Sequence, residues 1–141
     1  MNRALQRGAT SGLLAGLILG VLFFVDYGPG AALVRAASWF GLGQLGGSKW
    51  LGFLILIVMG GLFGLLFGAL QRNRTPELGR LLLQGLTMGI VWWVIVVFLI
   101  GTGLYHVRLD LSGSLYAFGM LLLYGVLLGS LFFQRSTVQV K

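Results

Sequence analysis

The chain has 141 residues, 57% of them hydrophobic and only 9% charged, against roughly 25% charged in soluble domains, which excludes a water-soluble globular domain. The absence of cysteine excludes disulfides, thiolate metal sites and thiol catalysis. The net charge is +7, but the ten basic residues stand singly or in pairs around apolar runs, so no basic stripe forms to hold nucleic acid.

The charged residues leave four long uncharged runs, 8–25, 50–71, 81–105 and 111–134, and each is long enough to cross a bilayer as a helix. Their continuous apolarity argues against a β-barrel, whose strands alternate apolar and polar. The runs predict an all-α integral membrane four-helix bundle, a single domain over 1–141, with spans at about 8–27, 50–71, 78–104 and 112–134.

In the first span Gly8, Gly12, Gly16 and Gly20 recur at every fourth residue. Four residues turn a helix by about 400°, so these glycines form a slowly winding strip, free of side chains, on which another helix backbone can lie. Arg3, Arg7 and the apolar run have the outline of a secretory signal, but the segment is read as a retained first helix. It should end near Tyr27, because Gly28-Pro29-Gly30 cannot continue the hydrogen-bond ladder. Residues 31–40 then show helical spacing, with Leu33, Ala37 and Phe40 on one face and Arg35 and Ser38 off it. About ten residues are too few to span, so an interfacial helix anchored by Trp39 is predicted.

After a glycine-rich loop, Lys49 and Trp50 mark the interface where the second span begins. It carries Gly60, Gly64 and Gly68, again four apart. Residues 71–77 are the most polar stretch, and a third helix is predicted to open at Pro76 with Thr75 as its N-cap and Glu77 in the first turn. Gly85 and Gly89 lie in span three, ahead of Trp92, Trp93 and a β-branched run that remains helical in lipid for want of other backbone partners. Gly125 and Gly129 lie in span four.

The halves resemble each other. Arg7, Gly12 and Gly16 match Arg80, Gly85 and Gly89 at an offset of 73, while Gly64 and Gly68 match Gly125 and Gly129 at an offset of 61. Gln71-Arg72 and Gln134-Arg135 close the two halves alike. The pattern predicts two parallel two-helix repeats, with the interfacial helix as an insertion in the first. With both termini cytoplasmic, that side holds Arg3, Arg7, Arg72, Arg74, Arg80, Arg135 and Lys141, and the other holds Arg35, Lys49 and Arg108. Seven against three favours that orientation, and the cytoplasmic cations would also attract anionic lipid.

The order of Gly12-Leu13-Leu14-Ala15-Gly16, Gly28-Pro29, Trp50-Leu51-Gly52 and Tyr124-Gly125-Val126-Leu127-Leu128-Gly129 resembles the YqhR-like family of small four-span bacterial membrane proteins. The resemblance covers most of the chain and rests on glycines and aromatics. It implies a four-span fold and its topology in the bacterial cytoplasmic membrane, and supplies no catalytic residue.

No Asp, Glu, Lys, Arg or His lies deep in a span, which argues against proton relays and ion paths. Ionisable groups gather only at the outer face, where Asp26, Arg35, Lys49, His106, Arg108 and Asp110 are solvated interface residues or, alternatively, a site with His106 as titrating group. His106 is the weak candidate for an axial haem or pigment ligand, though its place at a span end favours an interfacial role. No metal-ligand spacing is present, and the Gly-x-Gly pieces lack the strand, third glycine and acid of a dinucleotide site. Thr10, Ser11, Gln84, Thr87, Thr102, Tyr124 and Ser130 suit hydrogen bonds between helices. No cofactor or enzymatic activity is expected. The sequence favours an accessory or scaffold subunit, with lipid and other membrane subunits as partners, over the alternative of a small oligomeric channel or transporter.

Overall fold

The computed structural model describes residues 3–25, 31–73, 75, 77–106 and 111–138. It comprises α1 (Arg3–Val25), α2 (Ala31–Ser38), α3 (Ser48–Leu70), α4 (Leu78–Trp93), a π-helical continuation of α4 (Val94–Leu104) and α5 (Leu111–Val138). Four helices are long and apolar enough to cross a membrane: α1, α3, α5 and the combined Leu78–Leu104 segment. No strand occurs among the described residues.

Helices α1 and α3 form one antiparallel hairpin, and α4 and α5 form another. In the first, a Cβ added at Gly12 would strike the Gly60 carbonyl and the Gly64 backbone, and one at Gly8 would strike Gly64 and Gly68. Reciprocally, a Cβ on Gly60 would lie 2.8 Å from the Gly12 oxygen, and one on Gly16 would lie 2.7 Å from the Leu56 oxygen. These contacts are backbone on backbone, so no side-chain rotation can relieve a clash. The hydrogen that a Cβ would replace is aimed at the facing carbonyl, the geometry of a Cα–H···O contact worth about 0.5–1 kcal/mol. Gly85 and Gly125 form the same reciprocal pair in the second hairpin.

The two hairpins share one contact register. Gly12 meets the Gly60 carbonyl as Gly85 meets that of Gly125; Gly16 faces Leu56 and Ile57 as Gly89 faces Leu121 and Leu122. Gly64 meets Gly8 and Gly12, and Gly129 meets Leu81. The offset is therefore 73 between α1 and α4 and 65 between α3 and α5. This corrects the offset of 61 read from the sequence, which slipped α5 by about one helical turn. Glycines four apart look the same after such a slip, and only their contacts fix the register. Gln71-Arg72 and Gln134-Arg135 are accordingly not equivalent positions.

The hairpins meet along a seam of aromatic rings. Phe67 and Phe132, 65 apart and hence equivalent, contact each other edge to face at 5.4 Å, as residues on a two-fold axis must. Phe63 of α3 stacks on Trp92 of α4 at 5.1 Å, and Tyr124 of α5 meets Trp92 edge on at 4.4 Å.

One other expectation is corrected. The helix after the polar turn begins at Leu78 with Glu77 as its extended cap residue, so Thr75 is not the N-cap; Pro76 lies outside the described residues. Glu77 instead pairs with Arg80 at 3.5 Å across one exposed turn. Trp39, expected as an interface anchor, packs on Gly101 of the π-helical segment. Helix α2 buries Leu33, Ala36 and Ala37, and the Leu33 backbone lies directly over Gly52 of α3. Arg35 faces outward.

The hairpin geometry predicts a sharp contrast between two glycines. Gly16→Leu must push backbone away from backbone and should cost about 3 kcal/mol or more. Gly119 of α5 is exposed, with open space where its Cβ would go, so Gly119→Leu should be neutral or slightly stabilising through helix propensity. Thermal melts of both variants in detergent check this; equal stability would refute the backbone-contact account.

Candidate functional site

The outer-face cluster read from the sequence is only partly visible, because Asp26, Arg108 and Asp110 lie outside the described residues. Of the others, Arg35 projects from α2, and Lys49 places its ammonium 5.8 Å from the Trp50 ring, within cation–π range. His106 is exposed and has φ 51°, a left-handed conformation that histidine tolerates better than most residues. It follows Tyr105, whose N–H closes the π-helix on the Ile100 carbonyl at 3.2 Å. His106 thus has a backbone role, ending span three where helices commonly end in a left-handed residue. Tyr105 covers Gly41, itself left-handed at φ 73°. Among the described residues no three metal-ligating side chains gather.

Most in-span hydroxyls turn back on their own helix. Thr10 donates to Gln6 and Arg7, Thr87 to Leu83, Thr102 to Val97 and Ser130 to Val126, all to backbone oxygens at 2.8–3.1 Å. The expectation that they bridge helices is corrected for these four. A short hydroxyl reaches a carbonyl one turn back more easily than a neighbouring helix.

Three polar contacts that cross between helices come from longer side chains. The Gln71 amide donates to the Gln84 side-chain oxygen, joining the end of α3 to the start of α4. Trp93 Nε1 donates to the Ser114 carbonyl at 3.1 Å, joining α4 to α5. The Tyr124 hydroxyl donates to the Gly60 carbonyl at 2.7 Å in a fully buried contact. The Gly60 carbonyl is therefore shared: it meets Gly12 of α1 and accepts from Tyr124 of α5. Ser11 remains apart, fully buried and with no hydrogen-bond partner for its hydroxyl among the described residues.

The most organised chemical feature is thus Tyr124, Trp92 and Phe63 at the seam between the hairpins, tied to a glycine carbonyl. Its rings fill the space around the two-fold axis, and the tyrosine hydroxyl is committed to a backbone oxygen. The arrangement can lock two hairpins together. Nothing in the sequence connects Tyr124 to a glycine 64 positions away, so there it is only one polar side chain among several.

Tyr124→Phe removes the hydroxyl and keeps the ring. It should cost about 1 kcal/mol in unfolding measured in lipid or detergent, whereas Tyr124→Ala should cost about 3 kcal/mol or more by opening the seam. Equal losses in the two variants would show that the ring packing contributes little.

Compared with known protein families, with curated proteins and with solved structures, the chain matches none.

Proposed function

We propose that this four-span protein is a non-catalytic accessory or scaffold subunit of a larger membrane assembly. The observation that carries the reading is the seam between the hairpins. A pore through a single copy would need room and polar groups there, and Phe63, Phe67, Trp92, Tyr124 and Phe132 occupy it with rings. The sequence adds that no acid, base or histidine stands in the middle of a span. Glycine packing lets the bundle be narrow and rigid, and its remaining side chains face outward. Helix α3 presents Leu54, Val58, Leu62, Leu66 and Leu70, all exposed, along one ridge to lipid or to a neighbouring subunit.

The proposed setting is the bacterial cytoplasmic membrane, with both termini cytoplasmic. Hairpin pairing brings the N-terminus of α1, the turn between α3 and α4, and the end of α5 to one end of the bundle. Among the described residues Arg3, Arg7, Arg72, Arg80 and Arg135 lie there, while Arg35 and Lys49 lie toward the other end. That asymmetry supports the orientation and a preference for anionic lipid headgroups.

Two measurements test these readings. Extraction from native membranes in mild detergent should yield the protein in a particle larger than itself, with another membrane protein at fixed stoichiometry. Recovery only as a monomer or homo-oligomer, together with solute flux in liposomes, would establish the channel or transporter reading instead. For orientation, single cysteines at Gln44 and Asn73, both exposed, should react with impermeant reagents from opposite sides, Asn73 from the cytoplasm. Labelling of Asn73 from outside intact cells would reverse the topology.

A further inference from the structure

The Ser11 hydroxyl is fully buried and without a partner among the described residues. Its own helix offers little relief. The carbonyl one turn back, that of Arg7, already accepts the helical N–H and shares the one Thr10 hydroxyl proton, at 3.1 Å, with the nearer Gln6 carbonyl at 2.9 Å. An unmatched buried hydroxyl is costly, more so where lipid excludes bulk water.

The two repeat offsets say what Ser11 should face. Adding 73 to Ser11 gives Gln84, whose hydrogen-bond partner is Gln71. Adding 65 to Gln71 gives Ser136 of α5, the other buried serine at the same end of the bundle. Ser136 is 2% exposed and donates to the Phe132 carbonyl at 2.7 Å, so its oxygen still has lone pairs with which to accept. On the α3–α4 side of the axis, then, two glutamines span the gap directly. On the α1–α5 side the equivalent positions hold two hydroxyls on much shorter side chains.

We propose that a single water molecule sits between Ser11 and Ser136, accepting a hydrogen bond from Ser11 Oγ and donating one to Ser136 Oγ. It replaces the direct amide bridge made by Gln71 and Gln84 on the opposite side of the axis. Both hydroxyls are buried, and between them they offer a donor, Ser11, and an acceptor, Ser136, the two kinds of partner that a structural water needs. It lies at the headgroup end of the bundle, close to a supply of water. Neither serine is used by the hairpin contacts or by the aromatic seam, so the inference is independent of the proposed function.

Infrared spectra of the purified protein in lipid, recorded in ordinary water and in ¹⁸O-labelled water, test the assignment. A bridging water shifts its stretching band with the oxygen isotope, whereas serine oxygens do not exchange. The expected result is an ¹⁸O-sensitive band of a bound water that disappears in both Ser11→Ala and Ser136→Ala. The melting temperature of Ser11→Ala should fall by about 3 °C, the equivalent of one ordinary hydrogen bond. That loss should largely vanish when Ser136 is already alanine. A band unaffected by both substitutions overturns the proposal, as does a rise in melting temperature in Ser11→Ala, the sign expected if the hydroxyl is truly unmatched. Strictly additive losses in the two variants overturn it as well. Should Ser11→Ala not accumulate, Ser136→Ala decides the matter alone: its spectrum either loses the band or keeps it.

Discussion

Lipid is as apolar as the side chains it surrounds, so helices in a bilayer are not pressed together by water. What holds them is close contact, and here the closest contact is backbone against backbone along the glycine strips. Gly8, Gly12, Gly60 and Gly64 let α1 and α3 approach until each strip meets the carbonyls of the other. A hydrogen bond from a side chain could be lost and replaced. A backbone surface cannot be repacked, and so the remaining interactions are arranged around it. The large side chains flanking each strip are displaced outward to lipid or inward to the seam, where rings rather than glycines form the interface.

The repeat makes that division quantitative. Equivalent positions carry the same contacts within each hairpin, but different chemistry between hairpins. Phe63 and Trp92 stack on the α3–α4 side, whereas their equivalents on the α5–α1 side are Leu128 and Leu19, both fully buried. Gln71 and Gln84 likewise have Ser136 and Ser11 as their equivalents on the other side of the axis. The α3–α4 side is filled by large groups and the α1–α5 side by small ones, and α1 and α5 accordingly pack more extensively than α3 and α4. Tyr124 joins the two levels of organisation, since it reaches across the seam to the carbonyl of a strip glycine. Disturbing Gly60 therefore disturbs both the hairpin and its union with the other half.

How much of this was legible in the sequence depends on the range of the interaction. Four helices able to span follow from uninterrupted apolar runs, because the bilayer acts on each run separately. Glycines at every fourth residue mark a surface for close approach, but the spacing carries no record of which strip meets which, and a shift of α5 by about a turn leaves the pattern unchanged. A threonine before a proline is a common opening to a helix, but here Glu77 is extended and the helix begins only at Leu78. Gln71 and Gln84 stand at either side of the polar turn, and two long amides at facing span ends are a signal that could have been read. Tyr124 with Gly60 could not, because the contact depends on the angle at which the hairpins cross. Of the outer cluster, only Arg35, Lys49 and His106 can be placed, and His106 proves to have a conformational role that its chemistry alone did not announce.

The π-helical segment is the other feature hidden from periodicity, and it explains how the outer end is closed. In an α-helix the buried stripe that includes Trp92 and Val96 would continue near residue 99 or 100, yet Leu99 is among the most exposed residues, and Gly101 is buried instead. The wider winding delays the inward face by about a residue, aided by a run of Val94, Ile95, Val96 and Val97 whose branched side chains crowd an α-helix. Gly101 thereby comes under Trp39, just past the end of α2, while Tyr105 comes over Gly41 in the loop that follows. Helix α2 has no equivalent among the described residues of the second half, and the π-helical winding has none in α1. These two departures from the repeat face each other, an aromatic from each side resting on a glycine of the other. An insertion in one half is accommodated by a change of winding in the other, which is why neither can be understood from its own stretch of sequence.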